Sequence, residues 1–495
     1  MFLQIKKLTT KLGIDMLQQE QQNSNNYFSV ESLLRYSKID EGLLNKPIAE
    51  KDAHKVKYSG FEIFCHLVNA PILGCNNAHQ LSQSRDTKAL GCGKDVLYRK
   101  LGDEDINWRD IELRLGKSVS DFITTQFPPE DNEKQTNVFI VDDTMIQRLR
   151  SHNAEMLTRL HNHVTGKSEK AYNNQTLGFS DGVSFVPLCF SVHSSANPKN
   201  LVNPDLKAKE RDGRTAVGKR FKELTKRKPT VLMDMIAQAL NRGIDAEYVL
   251  MDSWYFSDGL IAQLASLGLG AISLIKRNIK FAPLEGDKCI TQKQLMKTAV
   301  KEVIDGHTVY SRLAKTKNGR KVKLVFVKSY NNPSVFLTIV STDTALSSEE
   351  ILVLYARRWK IEVNFKVQKQ YLGLTKGTQA CSFTSIYASM ALASIRYLLI
   401  ELHRRMNMDS RSLGALFDEA RNRLHDIPFI EAINTLLNLM NGLPEKLYKA
   451  GFIKQKDIEK VRDLIYDLLS GWFKDIDYYI KQQIIPIKSC QNKNQ

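Results

Sequence analysis

The stretch Asn137-Val-Phe-Ile-Val-Asp-Asp-Thr144 contributes most to the choice of fold. Its continuous run of apolar, mostly β-branched residues predicts a strand buried on both faces, and the aspartates predict where that strand ends. A second such strand, Ala246-Glu-Tyr-Val-Leu-Met251, ends at Asp252. Ligands of α/β sheets usually bind beyond the carboxyl ends of the strands, so these aspartates are candidate functional residues.

The segments around these strands complete an α/β core. Two extended segments, residues 175–182 and 183–192, meet at Asp181-Gly182, which is a strong hairpin signal. They predict an antiparallel meander. Residues 253–258 open a helix that leads to a further strand at 270–275.

Residues 278–345 have a different pattern. Short alternating strands at 321–327 and 335–340 are separated by Asn-Gly and Asn-Asn-Pro turns, so we expect a β-rich insertion. Ser347, followed three residues later by Glu350, forms a capping-box pattern that predicts the start of a helix.

The length of 495 residues predicts roughly three folding units. We expect a helical N-terminal region, the first part of the α/β core, the β-rich insertion, a helix that completes the core and a helical C-terminal region. The expected boundaries are 1–130, 131–277, 278–345, 346–375 and 376–495.

Basic residues outnumber acidic ones by 71 to 54, which gives a formal net charge of +17 at pH 7. This balance favours a polyanionic partner, either nucleic acid or an anionic membrane surface. The longest apolar stretch, residues 386–402, is interrupted by Ser389, Ser394 and Arg396, and it predicts a buried helix rather than a membrane span. We therefore expect no membrane association.

The seven cysteines lie far apart without a close Cys-x-x-Cys pair, which is typical of reduced thiols in a cytoplasm. The first residues lack the apolar stretch and cleavage site of a signal peptide, so export is not expected. His161, His163 and Cys189 lack zinc-finger spacing, and a structural zinc site is not favoured. The expected location is cytoplasmic.

Two segments are candidates for DNA contact. Residues 93–101 are either a small DNA-binding helix or, as the default interpretation, a solvated amphipathic helix. Residues 207–228 carry ten basic residues against three acidic ones. This stretch is either a solvated connection or a phosphate-binding segment, and its position before an acidic strand end favours phosphate contact.

A helix is predicted from about Tyr355 to Lys369. On it Tyr355, Arg358, Glu362 and Lys369 lie at offsets of 0, 3, 7 and 14 residues. At about 100° per residue these four side chains fall within about 60° of one another on one face. An ion pair between Arg358 and Glu362 is the simpler explanation, but it accounts for neither Tyr355 nor Lys369.

Asp142, Asp252 and Glu362 could form a carboxylate cluster. Three converging carboxylates repel one another unless cations lie between them, which points to magnesium or manganese. Two such ions could activate a water and stabilise a leaving 3′ oxygen, as in nucleases. Taken singly, an aspartate after a strand more often caps a helix or opens a turn.

Residues 355–369 resemble the Tyr, Arg, Glu, Lys signature of bacterial DDE transposases of the insertion sequence four family. All three intervals of that signature are met. Asp142-Asp-Thr144 resembles the first motif of the family and favours Asp142 over Asp143 as its aspartate. Asp252 with Trp254-Tyr-Phe-Ser resembles the second motif, and together the motifs cover about residues 137–372.

The resemblance implies a ribonuclease-H-like core in which Asp142, Asp252 and Glu362 are metal ligands, interrupted by the β-rich insertion. It implies two Mg²⁺ ions, for which Mn²⁺ can substitute. It also implies that phosphates near a transposon end are contacted by Tyr355, Arg358 and Lys369. Trp359 either stacks on a displaced base or is a core residue.

The function that the resemblance implies is cut-and-paste transposition by a DDE transposase. The expected partners are double-stranded DNA, as terminal inverted repeats and as target, and a second copy of the chain in a homodimer. The N-terminal region is expected to bind DNA ends, the C-terminal helices to form the dimer, and the protein to associate with the bacterial nucleoid. The alternatives are a ribonuclease-H-like nuclease that does not join strands and a transposase-derived DNA-binding protein without catalysis.

Overall fold

The computed structural model describes residues 29–44, 58–84, 87–88, 91–127, 136–162, 164–206, 210–304, 306–328, 335–377, 380–422, 440 and 442–473. His163 and the first three residues of the basic stretch, 207–209, lie outside the described residues, as does much of the predicted dimerisation region. The chain divides into two compact units, residues 1–71 with 75–414 and residues 72–74 with 415–495.

The larger unit is built on one mixed sheet. In the described part of the chain its strands are β1 (Val138–Gln147), β2 (Thr158–Asn162), β3 (Lys167–Ser180), β4 (Val186–His193), β5 (Tyr248–Met251), β6 (Gly270–Leu274), β7 (Ala282–Pro283), β8 (Val300–Ile304), β9 (His307–Lys315), β10 (Lys321–Lys328) and β11 (Phe336–Ser341).

The centre of the sheet is β1, which pairs in parallel with β5 and antiparallel with β3. β5 pairs in parallel with β6, and β3 pairs antiparallel with both β2 and β4. The apolar start of β1 is fully buried, because helices cover the sheet there and leave no face in water. The predicted strands at 137–141, 246–251 and 270–275 are thus confirmed within a few residues.

One boundary differs from the sequence-based expectation. β1 does not end at Asp142 but continues to Gln147, paired with β3 along its whole length. Only the parallel pairing with β5 stops at Val141 and Met251. The prediction missed this because the polar half of β1 is paired with β3, which follows in the chain only after β2.

The predicted hairpin at Asp181-Gly182 is confirmed by the antiparallel pairing of β3 with β4. Gly182 has a φ of +99°, a backbone conformation that favours glycine. Asp181 Oδ1 accepts hydrogen bonds from the backbone amides of Val183 and Ser184 and so closes the turn. β4 begins only at Val186, because these turn residues are not part of the ladder.

Residues 278–345 are β-rich, as expected, but their strands extend the same sheet. β11 pairs antiparallel with β6, β10 with β11, and β9 with β10. A cluster of buried side chains, including Phe281, Leu324, Phe326 and Val340, packs against this half of the sheet. Residues 278–345 are therefore joined to the core by the hydrogen bonds of one sheet.

The helices surround the sheet and follow the order predicted from the sequence. In the larger unit they are α1 (Val30–Tyr36), α2 (Glu41–Leu44), α3 (Gly60–Asn69), α4 (Ala78–Gln83), α5 (Lys94–Leu101), α6 (Trp108–Gln126), α7 (Ala216–Phe221), α8 (Lys228–Asn241), α9 (Asp258–Ser266), α10 (Gln292–Lys297), α11 (Ser348–Ala356), α12 (Trp359–Gln370) and α13 (Phe383–Met406). The capping box of Ser347 and Glu350 is present at the start of α11.

Helix α13 is the central helix of the larger unit and packs against α6 and β4. By length and composition it could cross a membrane, but 94% of its apolar window is buried inside the protein. Arg396 donates hydrogen bonds of 2.6 to 2.8 Å to the backbone carbonyls of Leu67, Val68 and Leu372, so its charge lies among acceptors. The predicted buried helix is confirmed.

The smaller unit contains helices α14 (Leu443–Lys449) and α15 (Ile458–Phe473). Arg462 of α15 forms ion pairs with Glu445 of α14 and with Glu459. This fits the predicted helical character of the C-terminal region.

Candidate active site

Asp142 and Asp252 lie at the same edge of the sheet. They follow Val141 and Met251, the last residue pair of the parallel ladder between β1 and β5. Because parallel neighbours run in the same direction, both carboxylates lie where the ladder stops. The charge of Asp252 contributes to a raised pKa of the Asp142 carboxyl.

Arg358 joins Asp142 to Glu362. Its Nη1 donates to Asp142 Oδ2 and its Nη2 to Glu362 Oε1, each at 2.6 Å. Both carboxylates therefore contact one guanidinium, although they lie 220 positions apart in the sequence. Such charge-assisted hydrogen bonds are short and fix the side chains in direction as well as distance.

The environment of Asp142 disfavours its negative charge. Burial raises the pKa of its carboxyl to about 7, and repulsion from Asp143 and Asp252 adds to this. Arg358 and the backbone amide of Asp143, which donates at 2.8 Å, only partly oppose the rise. At a pKa of about 7 the carboxyl of Asp142 is only partly ionised at neutral pH, and a further cation beside it would favour the ionised form.

The predicted continuous helix from Tyr355 to Lys369 is wrong. α11 ends at Ala356 and α12 begins at Trp359. Across this junction the amides of Arg357, Arg358, Lys360 and Ile361 each donate to the carbonyl three residues back, which tightens the turn. The constant rotation of 100° per residue therefore does not apply across the break.

The four signature side chains remain connected at this edge despite the break. The Arg358 guanidinium lies 5.9 Å from the ring centroid of Tyr355, and burial raises the pKa of that phenol. Lys369 Nζ donates to Thr144 Oγ1 at 2.7 Å, and burial lowers the pKa of its ammonium. Thr144 was not assigned a contact from the sequence, although it is the threonine of the first motif.

Trp359 lies on the surface, with 63% of the residue exposed. The alternative interpretation of Trp359 as a core residue is therefore wrong. Phe365, on the same helix, is buried instead. Contact of Trp359 with DNA stays a prediction.

Asp143 points to the opposite face of β1 from Asp142, because neighbouring residues of a strand alternate between faces. There it contacts a different set of side chains. Its Oδ2 pairs with Lys228 Nζ at 2.5 Å and lies 3.5 Å from the hydroxyl of Tyr255. Its Oδ1 accepts from Asn173 Nδ2 at 3.0 Å. Lys228 also lies 4.8 Å from the ring centroid of Trp254.

Sequence reasoning missed Lys228 and Trp254 as site residues. The available signals were that Lys228 ends the basic stretch and that Trp254 stands two residues after Asp252. Within that stretch Arg211 is almost fully buried and pairs with Glu155 at 2.6 Å, so it is not free for phosphate contact. Any phosphate contact by residues 207–228 would therefore have to come from the exposed side chains.

Among the described residues, no three His, Cys, Asp or Glu side chains are arranged as a preformed metal-binding group. The donor chemistry nevertheless fits a divalent cation. Carboxylates are the preferred ligands of Mg²⁺. Asp142 and Glu362 share one cationic partner, Arg358, and a divalent cation beside Asp142 would oppose the effect of burial on the ionisation of its carboxyl.

Family models match the part of the chain that contains this site. The model described as DDE superfamily endonuclease matches residues 87–292, and the model described as transposase DDE domain matches residues 225–388. No curated protein is significantly similar to the chain. The two overlapping matches support a DDE transposase, which is a DNA endonuclease of the recombination class.

Proposed function

We propose that this chain is a cut-and-paste transposase of the insertion sequence four family. In this proposal it binds the terminal inverted repeats of its element, nicks the DNA to expose a 3′ hydroxyl, and passes through a hairpin intermediate. The 3′ hydroxyl attacks the opposite strand to close this hairpin, water then opens the hairpin and regenerates the 3′ hydroxyl, and that hydroxyl attacks target DNA. The two family matches support the transposase class.

The observation that carries the proposal is the position of the candidate carboxylates at one edge of the sheet. Asp142 and Glu362 contact the same guanidinium, and Asp252 follows the neighbouring parallel strand. The strand order, with β1 between an antiparallel meander and the parallel strands β5 and β6, is compatible with a ribonuclease-H-like core.

The two aspartates lie on opposite faces of β1, and their partners support Asp142 rather than Asp143 as the first metal ligand. Asp142 points toward Arg358 and Glu362, whereas Asp143 is held by Lys228 and Asn173. Asp142 therefore shares a partner with the candidate ligand Glu362, and Asp143 does not.

The proposed cofactors are two Mg²⁺ ions held by Asp142, Asp252 and Glu362, with Mn²⁺ able to substitute. When bound, such ions would activate a water and stabilise the leaving 3′ oxygen of the phosphodiester. Release of Arg358 from one carboxylate would leave its planar fork free to bind a phosphate.

Lys369 and Tyr355 are proposed to hold the same DNA end. Lys369 donates to the uncharged hydroxyl of Thr144, so a phosphate could replace that partner with a gain in charge pairing. Trp359 is exposed and is proposed to stack on a displaced base. Binding of two ends requires two sites, so the active assembly is proposed to be a homodimer at the nucleoid.

The proposal is tested with the purified full-length chain and labelled DNA carrying the ends that flank its gene. We expect cleavage at the end in Mg²⁺, and joining of a pre-cut end to target DNA. Asp142→Asn, Asp252→Asn and Glu362→Gln should abolish both reactions while DNA binding in a gel shift is retained. Glu349→Gln removes an exposed glutamate from α11 and serves as the matched control.

Each outcome separates the competing functions. Cleavage without joining of pre-cut ends would identify a nuclease that does not transfer strands. DNA binding without cleavage by the wild-type chain would identify a non-catalytic DNA-binding protein. Persistent cleavage by Glu362→Gln, or full loss of cleavage by Asp143→Asn with retention by Asp142→Asn, would overturn the assigned carboxylates.

A further inference from the structure

An exposed tryptophan lies beside the carboxylate edge in a position that the proposed reaction does not use. Trp254 stands two residues after Asp252, and 50% of the residue is exposed. An exposed indole next to charged groups offers an aromatic face for stacking.

The chain holds Trp254 in a fixed position relative to Asp252. The backbone amide of Trp254 donates to Asp252 Oδ1, and that of Tyr255 donates to the carbonyl of Asp252 at 3.2 Å. Tyr255 is buried and packs edge-on against the indole, with 5.1 Å between the ring centroids. The indole therefore cannot move far from the carboxylate without breaking these contacts.

Lys228 is held at the indole from another part of the chain. Its Nζ lies 4.8 Å from the centroid of the Trp254 ring and 2.5 Å from Asp143 Oδ2. Its backbone carbonyl accepts a hydrogen bond of 3.2 Å from Gln175 Nε2 on β3. The lysine thus combines a cation–π contact with an ion pair, and both ends of the residue are anchored.

We propose that Trp254 and Lys228 form a stacking platform for a nucleobase of the DNA held at the carboxylate edge. This inference rests on the proposed function, since it places a nucleotide next to the phosphate that Asp142, Asp252 and Glu362 would act on. The base stacks on the exposed part of the indole. The ammonium of Lys228 lies beside the sugar–phosphate backbone of that nucleotide.

The chemistry of the platform favours a base over a protein partner. Every nucleobase has an aromatic face that stacks on indole, and cationic groups beside the aromatic ring suit the phosphate that accompanies it. The neighbouring side chains Lys226 and Arg227 are exposed and add positive charge next to Lys228. An acidic or apolar peptide would use only one of these two properties.

The platform is separate from Trp359. Trp254 belongs to the loop after β5, whereas Trp359 begins α12. Two exposed tryptophans from two elements therefore border the carboxylate edge, and each is predicted to contact a different nucleotide.

The test uses photo-crosslinking of full-length protein to DNA ends that carry 5-iodouracil at one position at a time around the cleavage site. This probe crosslinks to aromatic side chains stacked on it, and mass spectrometry locates the crosslinked residue. We expect a crosslink at Trp254 from one or two adjacent positions. Trp254→Phe should retain the crosslink and Trp254→Ala should lose it.

Binding affinity gives a second readout that does not depend on cleavage. Loss of one base–aromatic stack corresponds to about a 5- to 150-fold weaker Kd. We expect Trp254→Ala to weaken binding of the cut end within this range, and Trp254→Phe to restore most of the loss. Leu337→Ala, which removes an exposed apolar side chain from β11, is the control and should leave Kd unchanged.

The two proposals fail in different ways. Absence of a Trp254 crosslink at every scanned position, or an unchanged Kd for Trp254→Ala in a protein with wild-type thermal unfolding, would overturn the platform. Because both measurements report binding, they remain decisive if the wild-type chain binds DNA without cutting it. Loss of cleavage alone would count against the proposed function and not against the platform.

Discussion

Replacing Glu112 by glutamine should remove a pH dependence from the stability of the protein. Glu112 lies on α6 and is fully buried. Burial raises the pKa of its carboxyl group well above the ordinary value, and the nearby Ser394 and Arg109 only partly oppose this. The side chain is therefore a neutral acid in the folded protein over a range of pH where it is ionised in the unfolded chain.

The sign and size of the effect follow from proton linkage. An acid with a higher pKa in the folded state binds more protons when folded, so stability is full below the unfolded pKa of about 4.3 and falls as the pH rises. The limiting slope for one proton is about 1.4 kcal/mol per pH unit. Above pH 5 the wild type should thus lose up to this amount of stability per pH unit relative to Glu112→Gln.

Urea unfolding of both proteins at pH 5, 6, 7 and 8 measures this difference. Glutamine has nearly the same volume as glutamic acid and carries no charge, so the two curves should be close at pH 5 and diverge above it. Glu349→Gln, at an exposed position, should follow the wild type at every pH. Parallel pH profiles for wild type and Glu112→Gln would refute the neutral buried acid.

Three other predictions test the core, the DNA contacts and the site. Arg109 pairs with Glu223 through two buried hydrogen bonds of 2.8 and 3.0 Å. Glu223→Gln should therefore lower the free energy of unfolding by about 3 to 5 kcal/mol. A loss below about 1 kcal/mol in urea unfolding would contradict this. Lys369→Ala should slow end cleavage in a single-turnover assay and leave nonspecific DNA binding nearly unchanged, whereas equal loss of both would exclude a local phosphate contact. Replacing three exposed lysines of the basic stretch by alanine should reduce the slope of log K against log salt by about 2.7, and an unchanged slope would exclude their contact with phosphates. These lysines are Lys219, Lys222 and Lys226.

The features that were predictable from the sequence depend on nearby residues. The buried starts of β1 and β5 follow from unbroken apolar runs, the β3–β4 hairpin follows from Asp181-Gly182, and the start of α11 follows from its capping box. In each case the signal and the structure lie within a few positions of each other, so long-range contacts are not needed to specify them.

The features that were missed depend on partners far along the chain. The polar half of β1 is strand because β3 pairs with it, and the β-rich segment joins the main sheet through β6 and β11. The break between α11 and α12 contains neither proline nor glycine. It coincides with two long-range contacts, from Arg357 Nη1 to the carbonyl of Thr136 at 2.6 Å and from Arg358 to Asp142.

The candidate site shows the same division. The positions of Asp142, Asp252 and Glu362 could be selected from strand ends and from the spacing of the signature, because those patterns are local. The partners of the neighbouring Asp143 could not, since Lys228 lies 85 residues away from it. Strand geometry then explains why two adjacent aspartates differ in role: one faces Arg358 and Glu362, and the other fixes the lysine that packs on Trp254. The pair Asp142-Asp143 thus links the carboxylate edge to the proposed base platform through a single strand.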